Sequence, residues 1–168
     1  KGAWINGKDA RGVTPLGAAV HRGVYKKNHA DLIVYLLEKG ADPNAKYGVR
    51  FRYGRGDPVV ERSLPLSRFV ISNSYTMNER KGRKIHKARK HEKENAIRAM
   101  KALINKGAKI AGKDSIGRTP LHWAAKAGNY EAAKILLASG AIRTHRDNLG
   151  SLPLDYAESA EMIALLKG

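Results

Sequence analysis

One pattern recurs along this chain at a fixed stride, and the recurrence limits the possible folds more than any other property of the sequence. Gly117-Arg118-Thr119-Pro120-Leu121-His122-Trp123-Ala124-Ala125 is followed by Ala127-Gly128-Asn129-Tyr130-Glu131, then by Ile135-Leu136-Leu137 and Gly140-Ala141. Leu152-Pro153-Leu154-Asp155-Tyr156-Ala157 reopens the pattern 33 residues after Thr119. A unit of that length is one supersecondary element. It cannot bury its apolar face alone, so neighbouring units must stack to share a continuous core.

The residues within the unit account for two helices and a turn. Pro after Thr suits a first helical turn, where the missing N–H would have no partner anyway, and the Thr119 hydroxyl is placed to cap the remaining donors. The small pair Ala124-Ala125 lets neighbouring helices approach closely. Gly128 permits the turn between helices, and Gly140 supplies a left-handed C-terminal cap. Ile135, Leu136 and Leu137 fill the layer between units.

Upstream the same pattern continues with interruptions. Thr14-Pro15-Leu16-Gly17-Ala18-Ala19 opens a unit that closes at Tyr35-Leu36-Leu37-Glu38-Lys39-Gly40-Ala41-Asp42-Pro43-Asn44-Ala45. Thr14 to Gly40 is 26 positions against 21 from Thr119 to Gly140, an insertion of five between its helices. Leu64-Pro65-Leu66 opens the next unit, which closes at Ala102-Leu103-Ile104-Asn105-Lys106-Gly107-Ala108 after 43 positions, an insertion of 22. The connection from Gly40 to Leu64 is 24 positions against 12 at the later junctions, so it carries 12 extra residues. Asn6-Gly7-Lys8-Asp9 with Gly12 reads as the tail of a preceding hairpin.

Motif and period together resemble the ankyrin repeat, whose signature is T-P-L-H-x-A over 33 residues. The resemblance covers four units, two of them interrupted. It implies an all-α solenoid with short β-hairpin connections, a single domain over 1–168. The expected units are 9–45, 59–111, 114–145 and 147–168, with insertions at about 46–62 and 72–93. There are departures: Gly17, Ser67 and Asp155 stand where the motif has His122, and Leu64 and Leu152 replace its Thr. The last unit is short. Glu158 to Lys167 leaves room for a brief second helix with Met162, Ile163, Leu165 and Leu166 on its buried side, and Glu161 and Lys167 in water. A capping repeat needs such an outer face, so the solenoid is expected to end there.

Composition bears on partners. The chain carries 32 Lys and Arg against 15 Asp and Glu, a formal net charge of +17. A field of that sign attracts polyanions and repels basic proteins. No cysteine is present, which removes disulfides, thiolate zinc sites and cysteine nucleophiles together. The longest apolar stretches, such as Leu32 to Leu37, have the length of a core helix and fall short of the 18 or so residues of a membrane span. A start at Lys1 rather than Met is read as a cleaved leader or an internal start within a longer protein.

The basic residues concentrate in the insertions. Arg80 to His91 reads Arg80, Lys81, Gly82, Arg83, Lys84, Ile85, His86, Lys87, Ala88, Arg89, Lys90, His91, with no acid. Beyond it, Glu92, Glu94, Ala96, Ile97, Ala99, Met100, Leu103 and Ile104 fall at helical spacing, which predicts one long helix over Lys84 to Asn105 whose front half projects beyond the stack. The connection Lys46 to Arg62 interleaves Lys46, Arg50, Arg52, Arg55 and Arg62 with Tyr47, Phe51 and Tyr53. Arginine with aromatic side chains suits base stacking and phosphate neutralisation, and alternating aromatics equally suit packing between paired strands. Arg22, Lys26, Lys27 and His29 add a smaller basic group. By resemblance, hairpins and helix–helix turns lie at opposite edges of the slab, so the two large insertions should emerge from opposite edges.

The candidate contacts to nucleic acid or an acidic partner are therefore Arg50, Arg52, Tyr53, Arg55, Arg80, Lys81, Arg83, Lys84, Lys87, Arg89 and Lys90. A solvated helix end and a nuclear localisation signal are the competing readings of the run. Trp123 falls at a slot facing the concave surface in the family, a candidate protein contact or part of the packing. His122 is read as a structural hydrogen-bonding residue at a helix start. Arg55-Gly56-Asp57 and the Gly7-Lys8 fragment of a phosphate loop are chance-level matches. The histidines are scattered, with His86 and His91 five apart rather than on one helical face, and no Gly-x-Ser-x-Gly elbow occurs. No catalytic residue, metal, cofactor or small-molecule substrate is expected. The preferred reading is a non-enzymatic scaffold in a ribonucleoprotein assembly, touching RNA phosphates and neighbouring proteins. An organellar ribosome, in the mitochondrial matrix, would account for the charge. The alternatives are a protein-interaction module gripping an acidic protein, such as the host target of a bacterial effector, and an anionic membrane surface.

Overall fold

The computed structural model describes residues 4–21, 28–51, 59–72 and 90–168. Within them lie helices α1 (Pro15–His21), α2 (His29–Glu38), α3 (Pro65–Ser72), α4 (Lys90–Asn105), α5 (Pro120–Lys126), α6 (Tyr130–Ala138) and α7 (Ala160–Lys167). A 3-10 turn at Pro153–Tyr156 takes the place of a first helix in the last unit. Strands β1 (Tyr47–Phe51) and β2 (Val59–Ser63) form an antiparallel ribbon between α2 and α3, registered from Tyr47 opposite Ser63 to Phe51 opposite Val59. Of the helix expected over Lys84 to Asn105, α4 covers Lys90 onward, and residues 84–89 lie outside the described residues.

The helices form two rows. α1, α3, α5 and the 3-10 turn pack in succession as the first row; α2, α4, α6 and α7 pack in succession as the second. Leu16, Val20, Leu66, Phe69 and Leu121 from the first row meet Ile33, Leu37, Met100, Leu103, Leu136 and Met162 from the second in one buried cluster. Burying a side chain of this kind contributes about 1.5–3 kcal/mol, which neighbouring units supply to one another. At the far end α7 buries Met162 and Leu166 and turns Glu161 and Lys167 to water.

Helices α2, α4 and α6 end in the same way. Gly40, Gly107 and Gly140 have φ near +90°, and the next residue, Ala41, Ala108 or Ala141, returns its N–H to Leu36, Leu103 or Leu136. That six-to-one bond requires a left-handed residue, which glycine adopts without a Cβ clash. Asparagines then lock successive units. Asn44 donates to the Gly107 carbonyl at 2.9 Å and accepts the Lys109 N–H at 2.8 Å; Asn6 does the same to Gly40 and Asp42. Ala111, four residues after Gly107 as Asn44 is after Gly40, has no such side chain.

The loops before the first helices share a second device. The Oδ1 atom of Asp9 accepts the N–H groups of Arg11 and Val13; Asp114 accepts those of Ile116 and Arg118; Asp147 accepts those of Leu149 and Ser151. A left-handed glycine completes each turn at Gly12, Gly117 and Gly150. Five residues before Leu64 the corresponding position is Val59, and the glycine position is Arg62. Neither can make that turn, and there the chain runs as the β1–β2 ribbon instead.

Candidate partner-binding surface

The first row carries a buried polar cluster where the third unit meets the fourth. Arg118 reaches across the junction: Nε donates to Asp147 Oδ2 at 3.3 Å and a terminal nitrogen donates to the Tyr156 hydroxyl at 2.9 Å. Tyr156 passes its own proton to Asp147 Oδ2 at 2.6 Å. The guanidinium also lies over the Trp123 and Tyr156 rings, 5.0 and 4.6 Å from their centroids, and the Lys126 ammonium stands 5.6 and 5.8 Å from the same two rings. The indole N–H of Trp123 donates to Asp114 Oδ2 at 2.6 Å.

His122 stands at the start of α5. Its Nδ1 accepts the Thr119 N–H at 3.1 Å and faces the Thr119 hydroxyl at 2.8 Å. The proton therefore sits on Nε2, which donates to the Ser151 carbonyl at 3.1 Å. Burial pushes the imidazole below its ordinary pKa and keeps it neutral. Burial pushes the Asp147 carboxyl upward, but hydrogen bonds from the Tyr156 hydroxyl, the Ser151 and Leu149 N–H groups and Arg118 outweigh it and hold the group at about 2. The cluster is a bracing of the fold, with the exposed Lys126 at its rim.

Trp123 is 7% exposed, with its N–H committed to Asp114 and cations over its face, so most of its surface belongs to packing. Arg50 lies on β1 opposite Val60, and Lys90 opens α4. Arg52, Tyr53, Arg55, Arg80, Lys81, Arg83, Lys84, Lys87 and Arg89 lie outside the described residues. The bracing residues Asp114, Arg118, Asp147 and Tyr156 were not among the sequence candidates. The signal was present: an aspartate stands five residues before the opening Thr or Leu in three of the four units.

The second row offers a different surface. An open groove of about 480 Å³ runs between α2 and α4, lined by Val34, Ile97 and Ala102 with Glu94, Arg98, Lys101 and Asn105 on its edges. Arg98 pairs with Asp31 across it. Lys134 lies over the ring of Tyr130 one turn away on α6, and Lys39, just past the end of α2, lies over the ring of Tyr35. Among the described residues, no group of three or more His, Asp or Glu could hold a metal, and no helix is long and apolar enough to cross a membrane.

Comparison with family models matches ankyrin repeats, three copies, over residues 68–167, and a further ankyrin repeat over residues 11–47. No curated protein matches the chain.

Proposed function

Because the chain belongs to the ankyrin repeat family, whose members are generally non-catalytic binding modules with protein partners, we propose that it is a scaffold whose basic insertions hold RNA through its phosphates within a ribonucleoprotein assembly. One observation carries this reading: from Arg80 to His91 seven of twelve residues are Lys or Arg and none is acidic, in a chain of net charge +17. Lysine and arginine neutralise phosphates and release condensed counterions, which makes binding strong at low salt without any sequence code. The insertions fall between helices and between units, so the stack's core residues are not spent on the contact. An organellar ribosome is the kind of assembly in which such a protein would touch RNA on one side and proteins on the other.

Binding of a single-stranded RNA to the whole chain tests the reading directly. Affinity should fall at least tenfold between 50 and 200 mM salt, as about three or more phosphate contacts require. A flat response removes RNA from the account. The family's usual partners favour the acidic-protein reading instead, and nuclease separates the two. Partners lost from a pull-down on nuclease treatment support RNA; partners that survive it support the protein.

A further inference from the structure

At several positions of the repeat, later units bury or partly bury a residue whose counterpart in the first unit is exposed. Pro65, Pro120 and Pro153 are buried, and their counterpart Pro15 is exposed. Arg68 and Trp123 are buried, and their counterpart Ala18 is exposed. In the second row Ala99 and Ala132 are buried, while Leu32 in the same slot of α2 is 42% exposed. Tyr35, matching the partly buried Ala102 and Ile135, is 54% exposed. These positions lie away from the side of α2 that meets α4, where Asp31 reaches Arg98 and Val34 lines the groove. The opposite end of the stack is finished differently: α7 shows Glu161, Ala164 and Lys167 at its surface. A terminal unit with a polar outer face is a cap; one with leucine and tyrosine at interface slots is built like an interior unit.

The sequence says what the open face is shaped to receive. Lys1-Gly2-Ala3 is in register with Lys39-Gly40-Ala41, Lys106-Gly107-Ala108 and Ser139-Gly140-Ala141. The last three each close a second helix. Asp9 follows Gly2 by seven residues as Asp114 follows Gly107 and Asp147 follows Gly140; Asn6 follows Gly2 by four as Asn44 follows Gly40. The uncovered face thus continues the interface that already joins the units. A second copy of the chain meets it poorly, because like charges of +17 repel.

From this we infer that the α1–α2 end of the stack is an inter-unit interface whose occupant is a further ankyrin-type helix pair closing on Gly2-Ala3. The inference is independent of the RNA reading. To test it, a copy of residues 114–138 is joined directly ahead of Lys1 in the whole chain, so that Lys1-Gly2-Ala3 takes the place of Ser139-Gly140-Ala141. The fused protein should melt in one transition with its midpoint raised by about 5 °C or more, and amide exchange in α1 and α2 should slow at least tenfold. Leu32→Glu should leave the midpoint of the unfused chain within about 2 °C, as an exposed position allows, and abolish most of the gain in the fused one. An unchanged midpoint, a separately melting extra pair, or a large loss from Leu32→Glu in the unfused chain would each overturn the inference. So would a concentration-dependent dimer of the unfused chain that Leu32→Glu dissociates, which would make the occupant a second copy.

Discussion

The junction between the third and fourth units and the opening of the second unit use the same repeat positions with opposite chemistry. At the first, Asp114 and Asp147 hold tight turns, and Arg118, Trp123 and Tyr156 interlock between them. At the second, Val59 stands in the aspartate slot, Arg62 in the glycine slot, Ser67 in the histidine slot and Arg68 in the tryptophan slot. Arg68 is buried and donates Nε to His21 Nδ1 at 3.1 Å, and the Ser67 hydroxyl is buried with no hydrogen-bond partner among the described residues. The aspartate, glycine, histidine and tryptophan of the later junction are thus all replaced where the second unit opens.

If bracing is what distinguishes the two regions, removing it should be costly only where it exists. Asp147→Ala leaves Arg118 buried without its carboxylate and should cost about 3–5 kcal/mol in chemical denaturation. Asp9→Ala, in the same kind of turn but exposed and paired with Arg11 of its own loop, should cost clearly less. A smaller effect separates two glycines of the same turn. Gly150→Ala should cost the ~1–2 kcal/mol of a left-handed residue, since nothing crowds its added carbon. Gly117→Ala should cost more, because that carbon would strike Asn148 of the neighbouring loop.

Acid should expose the same junction. His122 has a depressed pKa, so the unfolded chain binds its proton first and stability falls as pH drops below about 6.5. Asp147 is held at about 2 against an ordinary 3.8, so its contribution is complete above pH 4 and fades between about 4 and 2. Asp147→Asn should flatten that lower limb in a denaturation series. The smallest change adds a lock. Ala111→Asn, placed like Asn6 and Asn44, should gain about 0.5–1.5 kcal/mol through the Gly140 carbonyl and the Ile142 N–H, and no gain would mean that the asparagines merely accompany the stacking.

Local chemistry made much of this architecture readable from sequence. Pro at the helix starts, Gly40, Gly107 and Gly140 at the ends, and the 33-residue stride all act within one unit, and the helices fall where those residues place them. The role of His122 was legible for the same reason: its partners, Thr119 and the start of the next loop, sit at motif positions. Trp123 was harder. Its burial depends on Arg118 folding over it and on Tyr156, 33 residues away, so the side chain alone did not tell a contact surface from a packed one. Arg118 and Asp147 look like ordinary surface charges until the stacking brings them together. The ribbon in place of a tight turn was foreshadowed by Val59 and Arg62, whose meaning appears only beside the aspartates and glycines of the other units.

The most direct measurement replaces Arg80, Lys81, Arg83, Lys84, Lys87, Arg89 and Lys90 with Gln together and compares RNA binding of this variant and the parent across a salt series. The core residues are untouched, so both should melt alike. The account predicts a parent whose log affinity falls with log salt at a slope of magnitude about 2 or more, and a variant with weaker binding and a clearly smaller slope, since the arginines of the first insertion remain. Equal slopes and equal affinities in the two proteins would contradict it.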